Sequence, residues 1–214
     1  LGRLGRELRA LIERHEDAED AAARVRAVRT RELTRCAMSD LLAGIDPRGH
    51  AIADAADTAL LGALEIAERE EAARWGSPRA RVAFIAMGRY GGRECSYASD
   101  ADVIAVHEAV GDATPADAAA SATAIVNRAK KLLGSATSQL GLAVDLDLRP
   151  EGKNGPMSRT VESHREYARR WGSTWERQAA VRARPIGDTP LARRAGQLFE
   201  EIAYGDVSPA DLRD

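Results

Sequence analysis

Cysteine is scarce in this sequence, which has only Cys36 and Cys95 among its 214 residues. The two cysteines lie far apart and follow no pairing pattern. We therefore expect no disulfide framework, and a reducing compartment fits this composition.

Long apolar runs and an excess of one charge are also missing. No run approaches the roughly 20 residues that a membrane-spanning helix needs, and the first residues, Leu1-Gly2-Arg3-Leu4, contain no signal-peptide core. The net charge of -2 supplies no general attraction for nucleic acid or for an anionic membrane. We therefore expect a cytoplasmic protein whose partners include neither nucleic acid nor a membrane.

The two ends of the sequence predict a piece of a longer protein. Residue 1 is leucine rather than methionine. Near the other end, Ser208-Pro209-Ala210-Asp211 is typical of a helix start, and only three residues follow it.

The most informative stretch is a glycine-rich segment that ends in two aspartates, Met87 to Asp102. An apolar run from Val82 to Met87 leads into it, and a second from Val103 to Val106 leads out, an order that predicts strand, turn and strand. Side chains alternate faces along an extended chain, so Asp100 and Asp102 should point the same way.

The spacing of these aspartates predicts a metal site. Ala101 and Val103 should point into the core, which leaves the two carboxylates together on the other face. Neighbouring carboxylates repel each other unless a cation lies between them, and hard oxygen ligands suit Mg²⁺. The glycines of the turn would let the backbone approach a phosphate chain closely; they are Gly88, Gly91 and Gly92.

These residues carry a resemblance to a known family. A glycine turn followed by Ser99-Asp100-Ala101-Asp102 resembles the signature of the nucleotidyltransferase superfamily, and more closely that of glutamine synthetase adenylyltransferases. Val144 to Gly152 resembles a second block of that family, and Trp175 to Arg184 resembles a third. The recognisable part runs from about Arg31 to Gly187.

The resemblance implies a set of site residues. Asp100 and Asp102 would hold two Mg²⁺ ions, and Asp145 would be the third metal ligand and the proton acceptor, in preference to Asp147. The alternative for Asp145 and Asp147 is a salt bridge to Arg149. The residues implied for ATP are Gly88, Arg89, Gly91, Gly92, Ser99, Arg149 and Lys153, although Lys153 could equally be a solvated loop residue.

The rest of the pattern predicts an α/β (α+β) fold with a polymerase-beta-like nucleotidyltransferase core, in which a small mixed sheet is flanked by helices. We expect a helical lead-in over residues 1–76, a catalytic core over 77–158 and a helical extension over 159–214. Predicted helices span Asp17 to Leu42 with Gly44 after it, Ala51 to Trp75, Thr114 to Gly134, His164 to Trp171 and Thr174 to Arg182, and Leu142 to Leu148 is a predicted strand.

Two features near the end of the recognisable part have structural interpretations. Trp171 and Trp175 are four residues apart, a spacing that favours core packing over base stacking. Glu176, Arg182 and Arg184 match the third block of the family, but internal ion pairs would need the same residue types, and we favour that interpretation.

The resemblance implies transfer of AMP from ATP to a tyrosine hydroxyl of glutamine synthetase, with release of pyrophosphate. A regulator of the PII type would need parts that lie outside this sequence. Residues 150–156 and 174–179 look more like the adenylylating domain of the family than like its adenylyl-removing domain. The alternatives are the removing reaction, which is phosphorolysis of AMP-tyrosine to ADP, a nucleotidyltransferase acting on nucleic acid, and a catalytically silent interaction module.

Overall fold

The computed structural model describes residues 2–15, 17–43, 49–134 and 141–205, and within them a small mixed sheet separates two groups of helices. The strands are β1 (Ala80–Ala86), β2 (Ala101–Ala109), β3 (Val144–Asp145), β4 (Ser158–Arg159) and β5 (Arg184–Pro185). The helices are α1 (Gly2–Glu13), α2 (Ala18–Ala43), α3 (Gly49–Trp75), α4 (Gly88–Gly91), α5 (Pro115–Leu133), α6 (Val161–Trp171), α7 (Thr174–Ala180) and α8 (Pro190–Tyr204).

Strand β2 lies at the centre of the sheet, whose order is β3-β2-β1-β5. It pairs antiparallel with β1 and parallel with both β3 and β4, which share its other edge. In the β2–β3 pair, Asp102 lies directly opposite Asp145. The predicted mixed α/β class is confirmed, and the pairing places two of the three predicted carboxylates on adjacent strands.

One face of the sheet is covered by α1, α2, α3 and α5. Their apolar side chains form one core with the residues of β1 and β2 that point to this side, among them Phe84, Ala101 and Val103. Helix α3 is rich in alanine, and a Cβ on its Gly62 would lie 2.8 Å from a methyl carbon of Leu8 and 2.9 Å from one of Val25. Glycine at this position therefore lets α1 and α2 pack closely on α3.

The other face is covered by α6, α7 and α8. Ile85 and Ile104 point to this side and pack with Leu198 and Phe199 of α8 in a second core. Asp102 lies two residues before Ile104, so its side chain belongs to this face. The carboxylates thus lie at one end of the sheet, on the side covered by the later helices.

Helix α8 was not predicted, although its start carries a recognisable signal. The Thr189 side chain accepts a hydrogen bond from the Ala192 N–H, and Pro190 occupies the first turn. The same arrangement begins α5, where Thr114 caps the helix and Pro115 follows. A threonine-proline pair at both helix starts is typical of an N-cap with proline at the first helical position.

Two local predictions were wrong. The strand predicted over 142–148 is only β3, because the chain turns after Asp145 and the Arg149 N–H donates to the Leu146 carbonyl at 3.2 Å. The turn predicted after β1 begins instead with the short helix α4. Gly44 and the helix start predicted at residues 208–211 lie outside the described residues.

The two neighbouring tryptophans are not in the core. Trp171 is 73% exposed and Trp175 is 55% exposed, because α6 ends at Trp171 and α7 begins at Thr174. Residues four apart share a face only within one continuous helix, and the break at Gly172 and Ser173 removes that relation. Elsewhere, none of the described helices combines the length and the apolar character required to cross a bilayer.

A buried ion pair joins the helices of the first face to the far edge of the sheet. Arg184 of β5 donates to both carboxylate oxygens of Asp57 on α3, at 2.7 and 2.9 Å. The Tyr90 hydroxyl of α4 donates to the same carboxylate at 2.6 Å, and burial raises the pKa of Tyr90 well above its usual value, so the hydroxyl stays protonated. Arg184 also donates to the Gly91 carbonyl at 3.3 Å.

This network predicts a large stability effect of Asp57. Replacing Asp57 with Asn leaves Arg184 without its counter-charge in a mostly buried position, and removal of one partner from such a pair costs about 3–5 kcal/mol. We expect the free energy of unfolding in urea to fall by about that amount.

An exposed ion pair provides the control. Arg194 contacts Glu108 at the surface, and Arg194→Ala should change the free energy of unfolding by less than about 1 kcal/mol. Equal effects of the two substitutions would show that the Asp57 network does not stabilise the fold more than a surface pair does.

Candidate functional site

Three carboxylates meet at the end of the sheet. Asp100 precedes β2 and is exposed, Asp102 lies in β2, and Asp145 lies in β3. One oxygen from each carboxylate lies within 4.8 Å of the others. The residues that sequence analysis predicted as ligands are therefore brought together by two strands that are distant in the sequence.

Backbone pairing explains why these side chains converge. The Ala101 N–H donates to the Ala143 carbonyl at 2.8 Å, which starts the parallel pair between β2 and β3. On the other side of β2, the Met87 N–H donates to the Asp102 carbonyl at 2.9 Å. Asp102 is thus fixed from both edges of its strand, and Asp100 reaches the same face two residues earlier.

The site is electrostatically unfavourable without a cation. Burial raises the pKa of Asp102, and the neighbouring carboxylates of Asp100 and Asp145 raise it further. Arg89 acts in the opposite direction and lowers this pKa. A carboxylate whose ionised form is disfavoured by burial and by two neighbouring acids is typical of sites that bind a hard cation.

The donor set fits Mg²⁺. Carboxylate oxygens are the ligands that Mg²⁺ prefers, and this ion is held through one or two of them together with substrate phosphates. Asp145 keeps its geometry through a hydrogen bond that its Oδ1 accepts from the Asp147 N–H at 2.7 Å. The site therefore offers oxygen ligands from two strands and one side chain of fixed orientation.

Gly88 is the glycine of the turn that lies at the carboxylates. Its φ of 53° is in the left-handed region, and a Cβ there would lie 3.1 Å from Oδ2 of Asp102. A side chain at Gly88 would therefore crowd the site and strain the backbone. By contrast, a Cβ at Gly92 would meet nothing closer than the Glu94 carboxyl group at 3.5 Å.

Gly91 has a packing role. A Cβ at Gly91 would lie 2.0 Å from the Arg182 carbonyl oxygen and 2.7 Å from the Ala86 carbonyl oxygen. No side chain can occupy that space without moving the backbone. Glycine at this position thus allows the third sequence block to pass directly beside the turn. The spacing of the glycines alone did not indicate this packing role.

Two polar residues flank the carboxylates. Arg89 is exposed, and its influence on the pKa of Asp102 places its charge within electrostatic range of the site. Ser99 is half-buried next to Asp100, and its Oγ accepts a hydrogen bond from the Ser96 N–H at 2.9 Å. Both residues are thus polar neighbours of the three carboxylates.

Arg149 is built into the loop that follows β3. Its guanidinium donates to carbonyl oxygens of Leu146 at 2.8 Å, Gly155 at 3.3 Å and Lys153 at 3.3 Å. Asp147 lies 3.6 Å from Arg149. Arg149 therefore holds the loop in its folded shape, and the phosphate contact predicted for it would require these bonds to be exchanged.

Asp147 is not a member of the three-carboxylate cluster. Besides its contact with Arg149, its carboxylate lies 3.2 Å from Nζ of Lys153, a side chain that is 81% exposed. The two acids that sequence analysis compared thus differ in surroundings. Asp145 joins the cluster, whereas Asp147 is paired with loop cations.

The residues of the third block form internal contacts, as we favoured. Arg182 pairs with Glu94 at 2.6 Å, and Arg184 pairs with Asp57. Glu176 accepts hydrogen bonds from Ser173 at the start of α7 and from the Tyr167 hydroxyl at 3.0 Å.

A cavity of about 500 Å³ lies beside the carboxylates, between the sheet and helices α6, α7 and α8. The sequence did not predict this cavity, because one of its walls is α8, which was missed. Its apolar lining is shared between the sheet end, the loop after β3 and α8, and includes Met87, Ile104, Leu148, Leu198, Phe199 and Ile202.

His164 is the buried polar side chain of this cavity. It is only 4% exposed, its ring lies 5.0 Å from the ring of Phe199, and its Nδ1 has no hydrogen-bond partner among the described residues. Burial lowers the pKa of His164 to about 4, and the charge of Arg159 contributes to the shift. The ring is therefore neutral near pH 7.

Comparisons with known proteins agree with the geometry. A family model described as "Glutamate-ammonia ligase adenylyltransferase" matches residues 2–198. The chain is similar to proteins named bifunctional glutamine synthetase adenylyltransferase/adenylyl-removing enzyme, with identities of 38% over 211 residues in Cutibacterium acnes, 37% over 218 in Streptomyces coelicolor and 41% over 210 in Leifsonia xyli.

These matches cover most of this chain and a small part of each relative. They include 97%, 94% and 94% of the chain, but 20%, 22% and 20% of the respective relatives. The chain therefore spans about a fifth of the length of the curated relatives it matches.

The carboxylate cluster predicts an unusual effect of Asp102→Asn. The substitution removes a metal ligand. It also removes a carboxylate whose ionised form is disfavoured, because burial and two neighbouring acids raise the pKa of Asp102. In the absence of divalent cations, the melting temperature should stay the same or rise. The stabilisation that Mg²⁺ gives the wild type should be lost, and scanning calorimetry with and without Mg²⁺ measures both. A large fall in melting temperature in metal-free buffer would contradict the repulsion described above.

The buried histidine predicts a loss of stability in acid. The folded pKa of His164 is about 4 and the unfolded value is 6.5, so between these values the unfolded chain binds the additional proton. The contribution is fully present above pH 6.5 and decreases as the pH falls towards 4. By pH 5 the loss of unfolding free energy amounts to about 2 kcal/mol.

Urea unfolding at pH 7 and pH 5 tests this expectation. His164→Leu should reduce the difference in unfolding free energy between the two pH values by about 2 kcal/mol. His50→Leu, which replaces an exposed histidine, is the matched control for the loss of an imidazole. The same pH dependence in wild type and His164→Leu would show that His164 is protonated in the folded chain.

Proposed function

This chain belongs to the glutamate-ammonia ligase adenylyltransferase family, and from that premise we propose that its three-carboxylate site transfers AMP from ATP to a tyrosine hydroxyl of glutamine synthetase. The family resemblance predicted from the three sequence blocks is confirmed by the match over residues 2–198. The observation that carries the proposal is the meeting of Asp100, Asp102 and Asp145 within 4.8 Å. We assign the mixed sheet and its flanking helices to a polymerase-beta-like nucleotidyltransferase core.

Asp100, Asp102 and Asp145 would hold two Mg²⁺ ions. When bound, the ions would neutralise charge on the triphosphate and lower the pKa of the attacking hydroxyl. Asp145 is oriented by the Asp147 N–H, and we propose that one of its oxygens accepts the hydroxyl proton. The tyrosyl oxygen forms a bond to the α-phosphorus, and the bond from that phosphorus to the bridging oxygen breaks, releasing pyrophosphate.

We propose that the ATP phosphates lie along the turn after β1. Gly88 gives the backbone close access, the charge of Arg89 acts on Asp102, and Ser99 is the residue before Asp100. Gly92 and the exposed Lys153 complete the proposed set of phosphate contacts.

We propose that Gly91 and Arg149 affect the phosphates indirectly and do not contact them. Gly91 keeps the turn against the third block, and Arg149 holds the loop after β3. Both would affect ATP binding through the shape of the segments that they organise.

The removing reaction is the second candidate function. The relatives' names combine adenylyltransferase and adenylyl-removing activities, and the same carboxylates would serve phosphorolysis of an AMP-tyrosine ester. Residues 150–156 and 174–179 favour the adenylylating direction for this segment. We propose that a PII-type regulator acts only through parts of the longer relatives that lie outside this chain.

A silent interaction module is disfavoured by the electrostatics. Burial and then two neighbouring carboxylates raise the pKa of Asp102. This arrangement brings no evident benefit to a domain that binds neither metal nor nucleotide.

Labelling with [α-³²P]ATP tests the proposal. With Mg²⁺ and unmodified glutamine synthetase, the chain should attach labelled AMP to one tyrosine of each subunit. With modified glutamine synthetase and phosphate, it should release no ADP. ADP release without AMP attachment would assign the segment to the removing reaction.

The two neighbouring acids supply a matched pair of variants. Asp145→Asn should lower the transfer rate by at least about 10³-fold, because it removes the proton acceptor and a metal ligand. Asp147→Asn should lower it less than about tenfold, because Asp147 is paired with loop cations. Comparable losses in the two variants would refute the assignment of Asp145.

A further inference from the structure

We propose that the cavity beside the carboxylates binds the adenine ring of ATP, with Trp175 stacking on the base and His164 contacting its polar edge. This inference rests on the proposed function, because it assumes that ATP is the nucleotide at the three-carboxylate site. It adds a binding site for the base, which the carboxylates and the glycine turn do not provide.

The cavity lies close to the glycine turn and to Asp102. Met87, which lines it, is the residue before Gly88, and Ile104 lies two residues after Asp102 on the same face of β2. Two residues of strand advance about 7 Å. The base of a nucleotide is joined to the reacting α-phosphate through one ribose, so a cavity one strand step from the carboxylates lies where the base would lie.

The cavity has the size and the lining of a small-molecule site. Its volume of about 500 Å³ is in the usual range of about 300–1,000 Å³ for small-molecule sites. The floor combines apolar side chains, Ile104 and Leu198 among them, with the buried imidazole of His164. A purine has the same character, since it is a flat apolar ring with hydrogen-bonding atoms at its edge.

His164 supplies the polar contact that such a base requires. Its ring lines the cavity, and no residue in the described part of the chain hydrogen-bonds to its Nδ1. A neutral imidazole has one donor and one acceptor nitrogen, and the edge of adenine likewise carries an amino group next to ring acceptors. Folded proteins rarely leave a buried polar group without a hydrogen bond. A bound base would provide the missing partner for His164.

Trp175 supplies the stacking surface. Its side chain lines the cavity and is 55% exposed, so one part of the indole contacts the protein and the rest is open to a ligand. Bases stack on aromatic side chains without strict sequence preference. Stacking on a base would also explain why Trp175 is exposed, which core packing does not explain.

The tyrosine of the protein substrate fits the cavity less well. Its reacting hydroxyl must lie at the carboxylates, and its backbone must remain outside with the rest of the partner. The cavity lining includes Leu198 and Phe199 of α8, an element that carries none of the carboxylates, and a tyrosine ring in that orientation would leave this part of the lining uncovered.

Titration calorimetry with three ligands tests the proposal. Mg-ATP, Mg-GTP and Mg-tripolyphosphate share the phosphate chain, and only the first two carry a base. Trp175→Ala should weaken Mg-ATP binding by about tenfold and leave Mg-tripolyphosphate binding unchanged. Trp171→Ala is the matched control, because Trp171 is 73% exposed and does not line the cavity; it should bind all three ligands as the wild type does.

His164→Leu tests the contact with the base edge. We expect the preference for Mg-ATP over Mg-GTP to decrease, with the same affinity for Mg-tripolyphosphate. If this variant does not fold, Trp175→Ala still decides the matter.

The outcomes separate this proposal from the proposed function. If the wild type binds Mg-ATP and Trp175→Ala binds it equally well, the base does not occupy the cavity and only this inference is overturned. If Trp175→Ala raises the KM for glutamine synthetase and leaves the affinity for Mg-ATP unchanged, the cavity belongs to the protein substrate. Failure of the wild type to bind Mg-ATP would overturn the proposed function as well.

Discussion

The carboxylate of Asp57 connects three elements of the fold that are distant from one another in the sequence. It belongs to α3, accepts from Tyr90 in α4 and pairs with Arg184 in β5. Arg184 in turn donates to the Gly91 carbonyl. The turn beside the carboxylates is therefore fixed by a charge from the first helical group and by an arginine from the third sequence block. Because this pair is mostly removed from water, its geometry is maintained more strictly than that of a surface ion pair.

A rigid frame is required because the site brings together groups that repel each other. The parallel β2–β3 pair holds Asp102 opposite Asp145. Burial raises the pKa of Asp102, and the carboxylates of Asp100 and Asp145 raise it further. A flexible chain would relieve this repulsion by moving the acids apart. The backbone bonds on both edges of β2 prevent that movement. The fold thus maintains a concentration of negative charge that a cation can neutralise, consistent with electrostatic preorganisation.

Sequence reasoning predicted the parts of this structure that depend on local pattern. The long helices α2, α3 and α5 follow apolar spacing and caps, and the convergence of Asp100, Asp102 and Asp145 follows from strand alternation together with the family resemblance. Features set by tertiary contacts were not predicted. Strands β4 and β5 have two residues each, too few for a periodic signal. The end of β3 is set by the Arg149 loop, and Gly91 is required by a passing backbone that is distant in sequence.

The shared edge of β2 has an evolutionary consequence. Strands β3 and β4 pair with different parts of that edge, and residues 146–157 leave the sheet between them before the chain returns. Insertions in this excursion would leave both strand registers intact, because surface connections tolerate changes of length better than paired strands do. The excursion carries Leu148, which lines the cavity, and Lys153. Related chains could therefore diversify the entrance to this region while the acidic centre remained in place.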